Sequence, residues 1–381
     1  MVGDSVRMTR REWMALGGLV LSSACRPRKG TGYAGYALIA TSGEDSVAVV
    51  DLTAFRLVKA IPLGARPTAV LPYGSAGHSL VLTPGTGSVH LVNPALKVVL
   101  SRKLADELSA MRVTADGKRL LALAPNSREL IEADPVSLRV VRRHKLEFAP
   151  VHIDLASALD VAPYAAVSTG EHGTVELFQL QTGQRWRAQM RGAAGTMRFR
   201  NDGQVLLVAD VRERSLTALT VPSLGVIAEL PLGMKPENLC FNFDQGQLFV
   251  SGDGMDGVAI LFPFQFQVEQ TVLAGRDPGV MACSENPAYL FVGSHSGSDV
   301  CILNVDTRKV IAMVDIGEPP TYITTTPDSQ YALILDERAG DMAVIHIPAI
   351  RANNAKSGAS VFTMLPVGEK PVHAAVVARA V

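Results

Sequence analysis

The stretch from Gly279 to Ile316, GVMACSENPAYLFVGSHSGSDVCILNVDTRKVIAMVDI, contains four short apolar runs separated by turns. The runs are Gly279 to Ser284, Tyr289 to Ser294, Val300 to Val305 and Lys309 to Ile316. Within each run the apolar residues alternate or cluster and are rich in Val, Ile and Leu, which favours strands over helices. This stretch therefore predicts a small sheet of four consecutive strands.

The same unit recurs along the chain. A Gly-x-x-Pro mark begins at Gly233, Gly275 and Gly317, at intervals of about 42 residues. The mark also begins at Gly64, about four such intervals before Gly233, and at Gly368. The second run of the unit occurs eight times, starting at Tyr36, Ser79, Arg119, Tyr164, Val205, Gln247, Tyr289 and Tyr331.

Repeats of a four-stranded antiparallel sheet at this period predict an all-β fold, a β-propeller. Each small sheet can bury its faces only against its neighbours, and a closed ring leaves no blade with a free face. The chain enters at Tyr36 with the second strand of a blade, and Val372 to Ala378 supplies a missing first strand. We therefore expect the ring to be closed by pairing of the N- and C-terminal strands.

The number of first strands predicts eight blades. Seven blades are the alternative, because the unit from Pro320 to Gly368 carries a polar insertion, Arg351 to Gly358. The segments near Ser109 and Ala193 also lack the Gly-x-x-Pro mark. The eight first strands are expected near Pro67, Ser109, Pro150, Ala193, Pro236, Pro278, Pro320 and Pro371.

Composition excludes several classes of protein. The chain has 381 residues, of which 48% are hydrophobic, so it can bury a large core and is not expected to be disordered. Its 36 Lys and Arg balance 36 Asp and Glu. Since a phosphate-binding surface needs a basic excess, we expect no nucleic-acid partner.

Residues 1–30 have the layout of a signal peptide and a short linker, followed by one propeller domain over residues 34–381. Arg10 and Arg11 precede a weakly apolar stretch, Trp13 to Ala24, that is shorter than the roughly 20 residues a transmembrane helix needs. The arginine pair resembles a twin-arginine export signal. Cys25 follows small residues, as at a lipoprotein cleavage site; ordinary cleavage near Ala24 is the alternative.

These features predict a periplasmic or extracellular monomer. If Cys25 is acylated, the protein is also tethered to a membrane as a lipoprotein.

Two segments carry a resemblance to a known family: YLFVGSHSGSDVCILNVDTRKVIAMVDIGEPP and YALIATSGEDSVAVVDLTAFRLVKAIPLGARPTAV. They resemble the YVTN-type β-propeller repeat of YncE-like and lactonase-like propellers. The resemblance covers nearly all of the chain from Tyr36 onward and departs at Gln179 and Val221, where the usual Asp of the third strand is replaced. The resemblance implies a β-propeller fold. It does not indicate one function, because the superfamily includes lactonases, nitrous-oxide and nitrite reductase domains and scaffold proteins.

Candidate ligand-binding residues lie where propeller loops converge on one mouth. Two positions after the proline of the mark, or its equivalent, are polar residues that could ring the channel entrance: His152, Asn238, Tyr322 and His373. Imidazoles can bind a metal or haem, or transfer protons near neutral pH. The alternative is that these side chains cap exposed backbone.

A second set of candidates lies just before the prolines and is cationic. Four cations on one rim would attract an anion, but neighbouring carboxylates predict a mixed, solvated rim instead. The cations are Arg66, Lys235, Arg276 and Lys370.

The sequence contains none of the motifs typical of other chemistries. It has no Gly-x-Ser-x-Gly elbow, phosphate loop, His-Glu-x-x-His helix or Cys-x-x-Cys-His haem attachment. Cys240, Cys283 and Cys301 lie in predicted strands, where a cysteine is usually a small buried apolar residue, and no pair is in matching register. A disulfide among them, formed in an oxidising compartment, is the alternative. We expect no metal and no cofactor, with haem held by His152 or His373 as a minor alternative.

Two functional hypotheses remain. The first is an exported, non-catalytic propeller that binds a protein or a small molecule at the channel mouth. The second is an enzyme at the mouth, either a lactonase-like hydrolase or a haem-binding domain. The first is favoured because the sequence places no convergent acid, base and cation.

Overall fold

The computed structural model describes residues 32–74, 77–156, 163–351 and 359–379. The predicted signal segment, with Arg10, Arg11 and Cys25, lies outside these residues. Within the described ranges, no helix has the length and hydropathy needed to cross a membrane.

The second and third strands of each unit form the buried centre of every blade. Their side chains are almost all buried, because both faces of the small sheet are covered by neighbouring blades. The second strands are β1 (Gly35–Thr41), β5 (His78–Thr83), β9 (Leu120–Ala124), β13 (Tyr164–Ser168), β17 (Val205–Asp210), β21 (Leu248–Ser251), β25 (Tyr289–Ser294) and β29 (Tyr331–Asp336). The third strands are β2 (Ser46–Asp51), β6 (Ser88–Val92), β10 (Glu129–Ala133), β14 (Thr174–Gln179), β18 (Ser215–Thr220), β22 (Gly257–Phe262), β26 (Asp299–Asn304) and β30 (Asp341–His346).

The fourth strands lie at the rim of the ring, and most of their side chains are exposed or only half-buried. Val226, for example, is 61% exposed on its strand. The fourth strands are β3 (Arg56–Pro62), β7 (Val98–Lys103), β11 (Val140–Lys145), β15 (Arg185–Gln189), β19 (Val226–Pro231), β23 (Gln267–Leu273), β27 (Lys309–Asp315) and β31 (Val361–Pro366).

The first strands surround the central channel, and most of their side chains are half-buried. First strands of neighbouring blades contact each other around the ring. With eight four-stranded antiparallel sheets, the eight-blade prediction is confirmed and the seven-blade alternative is wrong. The first strands are β4 (Ala69–Tyr73), β8 (Ala110–Val113), β12 (His152–Leu155), β16 (Met197–Phe199), β20 (Asn238–Phe241), β24 (Pro278–Cys283), β28 (Pro320–Thr325) and β32 (Pro371–Ala378).

The ring is closed as the sequence predicts. The blade formed by β32 and β1–β3 is numbered the first, and the second to eighth blades begin at β4, β8, β12, β16, β20, β24 and β28. In the first blade β32 pairs antiparallel with β1, and Ala375 lies opposite Leu38 in the register. This blade has the strand order β3-β2-β1-β32, so one sheet contains both ends of the described chain. Closure removes the unpaired edge that an open arc of blades would expose.

The core is divided among the gaps between blades. The described residues form eight apolar clusters, each built from two adjacent blades. One cluster joins Phe291 of the seventh blade to Ile334 of the eighth. Each sheet is therefore stabilised mainly by its neighbours.

The backbone conformation explains the glycine of the Gly-x-x-Pro mark. Gly275 and Gly317 have φ angles of 90° and 93°, in the left-handed region that favours glycine. The chain turns there from the rim of one blade into the first strand of the next. The marked turn thus delivers the following residues to the mouth of the channel.

Candidate functional site at the channel and its mouth

Two arginines lie in the channel on first strands that are otherwise mainly apolar. Arg112 of β8 and Arg198 of β16 are half-buried, and each donates a hydrogen bond to the carbonyl of its preceding methionine, at 3.1 Å. Desolvation by burial and the charge of Arg198 lower the pKa of Arg112. The two guanidinium groups therefore share one confined space.

Only one of the two arginines has an ion-pair partner among the described residues. Arg198 Nη1 lies 3.6 Å from Asp154 Oδ1, and Asp154 Oδ2 accepts a hydrogen bond from the backbone N–H of Phe199 at 2.7 Å. Arg112 makes no ion pair within 4.0 Å in the described part of the chain. The interior of the channel is consequently electropositive.

His152 and His373 make the same contact in different blades. His152 Nδ1 accepts a hydrogen bond from the backbone N–H of Met197 at 3.3 Å, and His373 Nδ1 accepts one from Val70 at 3.5 Å. In both cases the donor belongs to the first strand of the next blade. An Nδ1 that accepts leaves the neutral ring with its proton on Nε2.

The channel keeps both imidazoles neutral at ordinary pH. Desolvation, followed by the charges of Arg198 and Arg112, lowers the pKa of His152 to about 3. Desolvation and Arg112 lower the pKa of His373 to about 4. Neither ring is a strong base at pH 7, because a general base works best when its pKa lies near the operating pH.

Tyr322 packs beside His373, their ring centroids 4.4 Å apart. Burial raises the pKa of Tyr322 to about 12 despite the opposing charge of Arg112. Of the four predicted entrance residues, the structure thus brings these two into contact. His152 contacts a different blade, and Asn238 lines the mouth cavity described next.

The mouth is a polar cavity of about 1380 Å³ on the side of the ring formed by the first, sixth, seventh and eighth blades. Arg338, Lys370 and His295 are its basic or imidazole side chains. Its lining contains six carboxylates, those of Glu44, Glu237, Asp253, Asp277, Glu337 and Glu369. The cavity is therefore acidic.

The structure places the four predicted rim cations in different surroundings. Lys235 is paired with Asp253, with Nζ 2.6 Å from Oδ2. Arg66 and Arg276 are exposed and lie outside the cavity lining. Of the four cations only Lys370 lines the cavity, where carboxylates outnumber cations.

The structure corrects the prediction that no cysteines are in register. Cys240 and Cys283 lie on neighbouring first strands, and their Sγ atoms are 3.8 Å apart. This contact crosses from β20 of one blade to β24 of the next. Cys240 also lines a second cavity of about 340 Å³, together with Asp154, Arg198 and Met281.

Sequence reasoning missed Arg112, Arg198 and Asp154. The available signal was a charged residue inside a short, otherwise apolar first strand, as in Ala110–Val113. Such a residue must face either a neighbouring blade or the channel. A charge that faces a neighbouring blade needs a buried partner, whereas the channel tolerates a charge without one.

Comparisons of sequence identify no relative. No protein-family model matches the chain, and no curated protein matches it in sequence. The resemblance to the YVTN-type repeat therefore stays a prediction from the repeat itself.

Comparisons of structure find similar solved proteins at low identity. The chain is similar to the dihydro-heme d1 dehydrogenase NirN in complex with DHE, with a TM-score of 0.75 and 14% identity over 93% of this chain and 78% of that one. It is also similar to a functionally unknown protein from Desulfotomaculum acetoxidans DSM 771 (TM-score 0.59, 10% identity, 90% and 99% covered). A third is Kuenenia stuttgartiensis hydrazine synthase (TM-score 0.57, 16% identity, 74% and 95% covered). At these identities the likeness shows the fold alone.

Proposed function

We infer that the protein is an exported, non-catalytic binding protein whose mouth cavity holds a cationic group of a protein partner or a small ligand. The observation that carries this proposal is the excess of carboxylates around a cavity of about 1380 Å³. A concave surface with an excess of one sign of charge concentrates ligands of the opposite sign and speeds their association.

The charges of the channel interior support binding at the mouth. Arg112 and Arg198 lie below it and repel a cation from the channel, since only Asp154 offsets them among the described residues. A cationic ligand is therefore held on the face of the ring. This arrangement suits a flexible basic segment as well as a small polyamine.

The state of the histidines supports a non-catalytic role. His152 and His373 use Nδ1 to bind backbone, and their lowered pKa values make them weak bases. The lactonase-like alternative needs a base whose pKa lies near neutrality. Export and the monomeric state rest on the sequence, with residues 1–30 outside the described part.

The test is calorimetric titration of the protein with two probes, spermine and a hexalysine peptide, at low and high salt. We expect both probes to bind at low salt and to weaken as salt screens the carboxylates. The double variant E237Q/E337Q, which neutralises two lining carboxylates, should weaken binding by about fivefold if each charge contributes about 0.5 kcal/mol.

The matched control removes two charges on the opposite face. Glu285 and Asp306 are exposed and lie in loops away from the mouth cavity. E285Q/D306N should bind both probes like the parent protein. An equal loss in the two double variants, or no binding of either probe at low salt, would overturn the proposal.

A second candidate function is tetrapyrrole binding, as in the minor haem alternative. It is favoured by the neutral imidazoles in the channel and by the NirN neighbour, which was solved in complex with DHE. The residues fit such a group only in part: the imidazole Nε2 atoms can bind iron, but the acidic mouth repels the carboxylates of a macrocycle. Titration with haemin separates the candidates, since a Soret shift that disappears in H152A or H373A would favour this one.

A further inference from the structure

Two cysteines from neighbouring blades face each other beside the channel. Cys240 on β20 and Cys283 on β24 have their Sγ atoms 3.8 Å apart, in the gap between the sixth and seventh blades. A disulfide needs a sulfur separation of about 2.05 Å, and side-chain rotation on adjacent strands can close the remaining distance. We propose that Cys240 and Cys283 are a redox-active pair that a peroxide oxidises to a disulfide linking the two blades.

The surroundings of Cys240 favour its thiolate. Its pKa is lowered by a hydrogen bond with the Cys283 thiol, by the charge of Arg198 and by the backbone N–H of Cys283, and these effects outweigh burial, which acts in the opposite direction. The thiolate is the reactive form of cysteine. Cys283, whose pKa is raised by the same hydrogen bond and by burial, remains the protonated partner. The pair therefore consists of an attacking sulfur and a resolving thiol.

A small oxidant can reach the pair. Cys240 is half-buried and lines the cavity of about 340 Å³, which also contains Arg198, Met281 and Gln245. Gln245 lies in the loop between the first and second strands of its blade, so this cavity is at the face opposite the mouth. The redox pair is thus separate from the acidic cavity and goes beyond the proposed binding function.

Cys301 provides a contrast within the same blade. It lies on β26, is 2% exposed, and packs in the apolar cluster that joins the sixth and seventh blades. Burial and the nearby Asp299 raise its pKa to about 12. Cys301 should therefore stay reduced when Cys240 reacts.

The reaction is balanced in two steps. The Cys240 thiolate attacks one oxygen of hydrogen peroxide, so an S–O bond forms, the O–O bond breaks, and the leaving hydroxide takes a proton to become water. The Cys283 sulfur then attacks the Cys240 sulfenic acid, so the S–S bond forms and the S–O bond breaks. The second hydroxide takes the Cys283 proton. Two thiols are oxidised to one disulfide, and one peroxide is reduced to two waters.

The experiment uses the full chain with Cys25→Ser, which leaves three cysteines. The reduced protein is treated with equimolar hydrogen peroxide, quenched with iodoacetamide, digested and mapped by mass spectrometry. We expect a peptide pair joined through Cys240 and Cys283, alkylated or free Cys301, and full reversal by dithiothreitol. Absence of the linked peptides, or a bridge that includes Cys301, would overturn the proposal.

Variants separate the roles of the two sulfurs. In C283S the Cys240 sulfenic acid has no resolving thiol, so dimedone should label Cys240. In C240S dimedone should label neither remaining thiol, and C301S should form the bridge at the parent rate. R198Q should slow peroxide consumption several-fold at pH 7, with recovery at higher pH as more Cys240 ionises. Equal dimedone labelling of C240S and C283S would show that the two cysteines are equally reactive and contradict the assignment.

Discussion

His152 Nδ1 accepts a hydrogen bond from the backbone N–H of Met197, 3.3 Å away on the first strand of the next blade. A first strand lies at the inner edge of its sheet. The backbone N–H and C=O groups on its free side therefore have no hydrogen-bond partner within the sheet. His373 provides the same contact for Val70. Side chains of one blade thereby satisfy the backbone of the next.

We expect these two histidines to make the fold sensitive to acid. Their pKa values are about 3 and about 4 in the folded protein and about 6.5 when unfolded, so the unfolded chain binds more protons below pH 6.5. The free energy of unfolding should fall as pH drops from 6.5 to 4, by up to about 1.4 kcal/mol per pH unit for each histidine. Guanidinium unfolding at a series of pH values measures this slope.

The control is the double variant H152N/H373N. An asparagine Oδ1 can take the position of Nδ1 and accept the same backbone N–H, but it does not titrate. Between pH 6.5 and 5, before most carboxylates titrate, the variant should have a smaller slope than the parent. Equal slopes would mean that the two histidines bind as many protons in the folded protein as in the unfolded chain, and would contradict their lowered pKa values.

Asp154 should be important for stability. It accepts the Phe199 backbone N–H and is the only carboxylate within ion-pair distance of Arg198 in the described ranges. Removal leaves an unpaired N–H and an uncompensated cation, so D154A should lower the free energy of unfolding by about 3 kcal/mol. D154N keeps an acceptor and should lose less. Chemical denaturation distinguishes the two variants, and equal losses would mean that charge alone matters.

Arg112 should be a residue whose replacement stabilises the protein. Its guanidinium is desolvated, faces Arg198 and forms no ion pair in the part of the chain that the structure describes. R112M keeps the aliphatic stem and removes the repulsion, so the free energy of unfolding should rise by about 1 kcal/mol. The variant should also raise the pKa of His152 and His373, measurable by NMR titration. A loss of stability would reveal a partner for Arg112.

Ring closure should be sensitive to a single buried charge. Ala375 of β32 is 5% exposed and lies opposite Leu38 in the closing sheet. A375D buries a carboxylate in the apolar cluster that contains Leu38 and Val70, so it should cost about 4 kcal/mol or prevent folding. V226D, on the exposed outer strand β19, should cost under about 1 kcal/mol. Thermal unfolding compares them, and similar losses would mean that closure contributes little.

The fold was predictable because the information that specifies it is local and repeated. The strands around Tyr289 and Val300 alternate or cluster apolar residues, and the marked glycines recur at a fixed interval, so each unit predicts the next. The second and third strands are buried because their residues are mostly apolar, as the sequence pattern indicates. One first strand was placed less well: β16 begins at Met197, four residues after the predicted start near Ala193. That segment lacks the Gly-x-x-Pro mark.

The candidate site was predictable only in part. Position after the proline identified His152, Tyr322 and His373 as first-strand residues at the channel, but not which of them touch. Tyr322 meets His373, whereas His152 binds the backbone of another blade.

Sequence alone determined that similar four-stranded sheets form a ring and that the N- and C-terminal strands pair, because hydrophobic period and turn residues act over a few positions. The sequence favoured eight blades over seven, and the tertiary structure decided between them. Only the tertiary structure decided that Cys240 meets Cys283, that Arg112 lies in the same channel as Arg198, and that carboxylates gather around one mouth. Those relationships join residues from different blades, about 40 or more positions apart. They depend on how each sheet is rotated against the next, and no repeat period specifies that rotation.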